Sequence, residues 1–76
     1  MELNKTLKQS ITALKQGKLQ EAEHLCREII LTHPNHPVAN HNLGITLYAC
    51  GRLKEAEESF NKSIALKPDY ILAYNN

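Results

Sequence analysis

Apolar residues recur along this chain with helical spacing, in four blocks separated by short breaks that carry glycine or proline. The first block places Leu3, Leu7, Ile11 and Leu14 at steps of four, four and three, which is one stripe of an α-helix. It predicts a helix over 3–16, stopped by Gly17, a residue that tolerates the left-handed backbone found at many helix ends. The second block (Leu19, Ala22, Leu25, Cys26, Ile29, Ile30) predicts a helix to about Thr32. Glu21 and Glu23 sit in its first turn, where carboxylates suit the helix dipole. His33-Pro34-Asn35-His36-Pro37 breaks the pattern, because proline disfavours helix in the residue before it. Pro37 then opens a third helix, where a missing N–H costs nothing; it runs to about Cys50 with Leu43, Leu47 and Cys50 on one side. Gly51 ends it. A fourth helix over Leu53–Leu66 is expected to turn Leu53, Ala56, Phe60, Ser63 and Ile64 inward. Lys67-Pro68-Asp69 stops it, and a fifth helix begins near Tyr70.

The blocks also repeat. Gly17, Leu19, Glu21, Ala22, Glu23, Ile30 and Pro34 recur 34 positions later as Gly51, Leu53, Glu55, Ala56, Glu57, Ile64 and Pro68, and Ile11/Ile45 and Thr12/Thr46 bring the identities to nine. Short connections between helices of this length make each pair an antiparallel hairpin. One such hairpin cannot bury its apolar face alone, whereas stacked copies share a continuous core. The expected architecture is therefore all-α, one domain over 1–76, with repeat 1 at about 3–36, repeat 2 at about 37–70 and a partial third repeat at 71–76.

In the second copy Asn40, Leu43, Gly44, Leu47, Ala56, Phe60 and Pro68 follow the spacing W-x2-L-G-x2-Y, A-x3-F, P. That pattern resembles the tetratricopeptide repeat family. Five of the seven match outright, and Leu47 conservatively replaces the aromatic. Gly44 and Ala56 are small where two helices approach. The first copy departs from the pattern, with Thr6, Gln9 and Ser10 at the first three positions and Cys26 for the aromatic. Ser10 is still small enough for close approach. The polar Thr6 and Gln9, close to Met1, are expected to form a wetted cap at a true amino terminus. At the other end the chain reads as a fragment of a longer protein, or as covered by something else.

The resemblance implies a right-handed α-solenoid whose first helices line a concave groove for an extended peptide or a partner's helix. Carried over position by position, it assigns to the groove Leu7, Ile11 and Leu14 from the first hairpin, with Asn4, Lys8 and Lys15 beside them. It assigns His41, Asn42, Ile45 and Tyr48 from the second, with Val38 and Ala49, and Asn76 from the stub with Leu72 and Asn75. Ile11, Leu14, Ile45 and Tyr48 supply apolar contact; His41, Asn42 and Asn76 orient the ligand. Some family members hold peptide backbone with a ladder of asparagines at the position of Asn42 and Asn76, since an amide both donates and accepts. Lys8 breaks that ladder in the first copy.

Composition narrows the partner class. Net charge is +1, from 9 basic and 8 acidic residues, which makes no electrostatic case for nucleic acid or an anionic membrane. No apolar stretch of about 18 residues is present for a membrane span. Two cysteines without C-x-x-C spacing point to reduced thiols, and with no secretory signal after Met1 the expected location is cytoplasmic. His33-x-x-His36 lacks Cys or acidic neighbours at ligand spacing, so no metal is expected, and no cofactor motif is present. The serines lie in helical patterns rather than on a nucleophile elbow, and the glutamates form solvated faces. The expected function is a non-catalytic module for a protein or peptide partner, self-associating through its exposed carboxyl-terminal end. The alternatives are the amino-terminal repeat region of a larger bacterial transferase and a structural self-assembly unit.

Overall fold

A computed structural model describes residues 3–66 of the chain. They form four helices, α1 (Leu3–Lys15), α2 (Leu19–Thr32), α3 (Pro37–Ala49) and α4 (Leu53–Leu66), each ending within one residue of the position expected from sequence. The expected fifth helix from Tyr70, the stop at Pro68 and the stub carrying Asn76 lie outside the described residues.

The ends are set locally. Gly17 and Gly51 have φ of 76° and 83°, and the chain wraps back through them in the same way. Lys18 N–H donates to Ala13 O at 2.9 Å, and Arg52 N–H donates to Leu47 O at 2.9 Å. Each wrap satisfies carbonyls that the last helical turn leaves over. At the start of α3, His36 Nδ1 accepts the Ala39 N–H at 3.1 Å. Asn40 then ties the preceding turn to the helix, its Nδ2 donating to His36 O at 2.8 Å and Pro34 O at 3.2 Å.

His36 acts as the cap only while its Nδ1 is unprotonated. Burial, reinforced by the nearby His33, lowers its pKa from the usual histidine value. A pKa lower in the folded than in the unfolded chain means that stabilisation is present above the unfolded value and is lost as pH falls through the folded one. Thermal stability should therefore drop on acidification below about pH 6.5. His36→Asn keeps a side-chain acceptor without the titration and should flatten that part of the profile, while His36→Ala should cost about 1 kcal/mol at neutral pH. Thermal melts between about pH 5 and 8 check both.

Consecutive helices pack in sequence, and α1 also reaches α3, so α3 is enclosed by the other three. Its buried residues run from Val38 to Gly44 and on to Thr46 and Leu47. Ser63 Oγ on α4 donates to Pro37 O at 2.7 Å and anchors its first turn. The core is Cys26, Leu43, Leu47 and Ala56, with Ile30 and Phe60 packed on it. Leucines of α3 thus touch small residues from both hairpins at once.

The closest approach is at Gly44. A Cβ there would stand 2.7 Å from Phe60 Cδ1. One period earlier the two positions hold Ser10 and Cys26, both buried. The first hairpin spends its space on a serine side chain and a small thiol, the second on no side chain and a whole ring.

Three expectations are corrected. Leu53 and Ile64 do not turn inward and are 58% and 50% exposed, whereas their counterparts in the first hairpin, Leu19 and Ile30, are half-buried on α2, beside which α3 stacks. Thr6 is buried rather than wetted, although Gln9 is exposed. The face of α1 most deeply buried carries Thr6, Ser10 and Ala13, whereas Leu3, Leu7, Ile11 and Leu14 are half-buried. Small side chains there allow close packing, and the larger apolar stripe lies to one side of it.

Candidate functional site

The expected groove residues separate into two groups. Leu7, Ile11 and Leu14 of α1 and Ile45 of α3 are half-buried, and Tyr48 of α3 is 65% exposed. Ile11 and Ile45 stand one period apart, as do Leu14 and Tyr48, so both hairpins offer partly accessible apolar side chains at equivalent helical positions. Asn4, Lys8, Lys15 and Ala49 beside them are exposed, and Val38 is buried.

His41 and Asn42 behave differently. They are only 5% and 1% exposed, and both are engaged in interactions within the protein. The His41 ring packs against Phe60, with centroids 5.5 Å apart and planes tilted by 57°. Neither side chain presents itself to a ligand, which corrects the expectation that they orient one directly. The physical reason is the enclosure of α3, which leaves Ile45, Tyr48 and its last residues as its accessible part. Asn76 lies outside the described residues.

An ion-pair network that sequence reading missed joins the hairpins. Glu23 accepts from Arg27 Nε at 2.9 Å and from Arg52 Nη1 at 2.9 Å, and Arg52 Nη2 reaches Glu55 at 2.7 Å. The hydrogen bond from Arg27, with help from Arg52, holds the Glu23 carboxyl below the usual carboxylate range. The four-residue spacing of Glu23 and Arg27 was legible in the sequence. The pairing with Arg52, 29 positions on, depends on α3 returning beside α2.

Two surface depressions flank this arrangement. A cleft of about 650 Å³ lies on α1 and α2, lined by polar side chains that include Lys5, Lys8, Gln16, Lys18 and Glu21. A smaller groove of about 310 Å³ is lined by Tyr48, Leu53, Ala56, Glu57 and Phe60.

The remaining reactive side chains have local roles. His33 Nδ1 lies 2.8 Å from Thr32 Oγ1 and His36 caps α3, so the His33-x-x-His36 pair is part of the turn. Ser10 donates to Leu7 O at 2.7 Å. Among the described residues no group of His, Cys, Asp and Glu is arranged to hold a metal ion, and no helix is long and apolar enough to cross a membrane.

The cysteines are free, Cys50 exposed and Cys26 buried. Burial pushes the Cys26 thiol up to about 11. A maleimide reagent at neutral pH should therefore label Cys50 alone, with Cys26 reacting only after denaturation, because the thiolate is the nucleophile. Since the folded pKa is the higher one, this thiol's contribution to stability is complete below the unfolded value near 9.0 and is lost as pH rises from there towards 11. Mass spectrometry of labelled peptides and alkaline melts read out the two effects.

The tetratricopeptide repeat family model matches residues 13–75. Among characterised proteins, the human Protein O-mannosyl-transferase TMTC2 is 36% identical over 64 residues, a match that covers 83% of this chain. The chain spans only 8% of the length of that relative. No solved structure matches.

Proposed function

This chain belongs to the tetratricopeptide repeat family, and on that premise we propose that it is an interaction module that takes a peptide or a partner's helix across the accessible sides of α1 and α3. The observation that carries the reading is Tyr48, 65% exposed on a helix buried from Val38 to Leu47 except at Ile45. Ile45 lies one turn before it, and Ile11 and Leu14 stand at the same positions of the first hairpin. These side chains supply apolar contact area, and a tyrosine adds a hydroxyl at small entropic cost. His41 and Asn42 act from beneath, holding α3 in place, and Asn76 is a further polar contact in the same proposal. Cytoplasmic location belongs to it as well.

Peptides selected from a displayed library against the whole chain test this. Tyr48→Ala combined with Ile45→Ala should weaken a selected peptide at least about tenfold, the size expected for loss of a central aromatic anchor, with helicity unchanged. Equal affinity for both proteins removes the proposal.

A second reading rests on the human relative, which is a transferase of which this repeat segment matches a small part. In this reading the repeats of this chain are an arm of a larger enzyme and position its substrate. Expression from the complete gene, with and without the repeats, distinguishes an arm from a free-standing module: the arm alone alters transfer to protein acceptors.

A further inference from the structure

The net charge of +1 hides a segregation of charge between helices. α1 carries Lys5, Lys8 and Lys15 and no carboxylate, and α3 carries no lysine, arginine or carboxylate at all. The glutamates of the described residues lie on the other two helices, Glu21, Glu23 and Glu28 on α2 and Glu55, Glu57 and Glu58 on α4. None of the ion pairs among the described residues uses a lysine. The cleft of about 650 Å³ gathers three of these free cations, Lys5, Lys8 and Lys18, against the single carboxylate of Glu21. Its α1 wall is a stripe of Lys5, Lys8, Gln9, Thr12 and Gln16, which is not the stripe of Leu7, Ile11 and Leu14. One period on, the positions of Lys5, Lys8, Gln9 and Thr12 are Ala39, Asn42, Leu43 and Thr46, each at most 5% exposed between helices. In the first hairpin the same face bears ammonium groups, which an apolar helix could cover only by stripping them of water.

We propose that this cleft is a second binding site, for an extended acidic segment of a partner protein. Carboxylate side chains of the segment sit on Lys5, Lys8 and Lys18. Its backbone runs along Gln9, Thr12 and Gln16, whose amides and hydroxyl both donate and accept. The spread of the cations selects a peptide over a small anion. Lys5 and Lys18 stand at opposite ends of α1, roughly 15–20 Å apart at the helical rise, a span that an extended chain of about six residues covers. Nucleic acid is the poorer occupant, because no aromatic side chain among the described residues lines the cleft for bases to stack on. The site needs no contact with Ile45 or Tyr48 and stands apart from the surface proposed above.

Hexaglutamate, acetylated and amidated so that its only charges are side-chain carboxylates, is the probe. Titrated into the isotope-labelled whole chain at low salt, it should saturate and shift the amide resonances of Lys5, Lys8, Thr12 and Gln16, whereas hexaglutamine should not. Lys5→Glu combined with Lys8→Glu should weaken binding at least about tenfold, since two attractions become repulsions. Lys54→Glu combined with Lys62→Glu changes the net charge equally but on α4, and should leave the affinity within about threefold. All four lysines are exposed, so circular dichroism of both variants should match that of the parent. Absence of binding, equal weakening by the two double variants, or tighter binding of hexauridylate overturns the proposal. So does sedimentation showing that the chain self-associates and that Lys5→Glu with Lys8→Glu disperses it, because a second copy then holds the cleft.

Discussion

Leu47→Ala should lower stability by about 2–4 kcal/mol, the usual cost of deleting a buried leucine side chain with partial collapse of the cavity. Leu47 is fully buried and belongs to the cluster that includes Cys26 of the first hairpin and Ala56 of the second. Its loss loosens the contact within a hairpin and the contact between hairpins together. Domains of this size hold only about 4–11 kcal/mol in total, so the variant should be partly unfolded near body temperature. Urea titration should show a lower midpoint with an unchanged slope, since the surface exposed on unfolding is the same. Leu31→Ala is the control: Leu31 is exposed, and its replacement should stay within about 0.5 kcal/mol. An unshifted midpoint for Leu47→Ala would show that the two hairpins do not share a core.

Gly44→Ser should also destabilise, by about 1–3 kcal/mol, the typical cost of overpacking a filled site. In an open helix the same change would help, because serine is a better helix former than glycine. At this position the added Cβ meets Phe60 Cδ1, Cε1 and Cγ at 2.7, 2.8 and 3.0 Å. The ring that must move packs against His41. The first hairpin shows how the conflict is avoided, with Ser10 opposite Cys26. Phe60→Cys alone should cost stability through lost packing. In that background Gly44→Ser should cost much less than in the parent, giving a coupling of more than about 1 kcal/mol in a double-mutant cycle. Additive effects would contradict size matching between the two positions.

Much of the fold was legible because it is written locally. Gly17, Gly51, Pro37 and the His33–Pro37 break act through their own φ preferences and missing donors, and these hold wherever the helices later pack. The 34-residue period carried the pairing of α1 with α2 and of α3 with α4. What escaped depends on the third dimension. His41 and Asn42 looked like ligand contacts from their register, yet three neighbouring helices enclose them. Thr6 reads as part of a wetted cap and Ala13 stands out little beside Leu7 and Ile11, yet both join Ser10 on the buried face of α1, where a close helix contact selects small side chains. Leu53 and Ile64 follow the inward pattern of their helix, but that pattern describes a face waiting for another helix rather than one already covered. Arg52 reaches Glu23 only because α3 returns beside α2, and no spacing rule signals a pair 29 residues apart.

The division between buried and accessible groove positions also reassigns roles. The polar residues expected to grip a ligand are buried in α3, and in the proposed function recognition falls to Leu7, Ile11, Leu14, Ile45 and Tyr48. Binding there should be driven by apolar contact and should respond weakly to salt.

The most direct test of this account is the amide and methyl chemical-shift map of the isotope-labelled chain titrated with a peptide selected against it. The account predicts that the largest shifts fall on Leu7, Ile11, Leu14, Ile45 and Tyr48. Shifts confined instead to the outer residues of α2 and α4, such as Glu28, Leu31, Lys54 and Lys62, would contradict it.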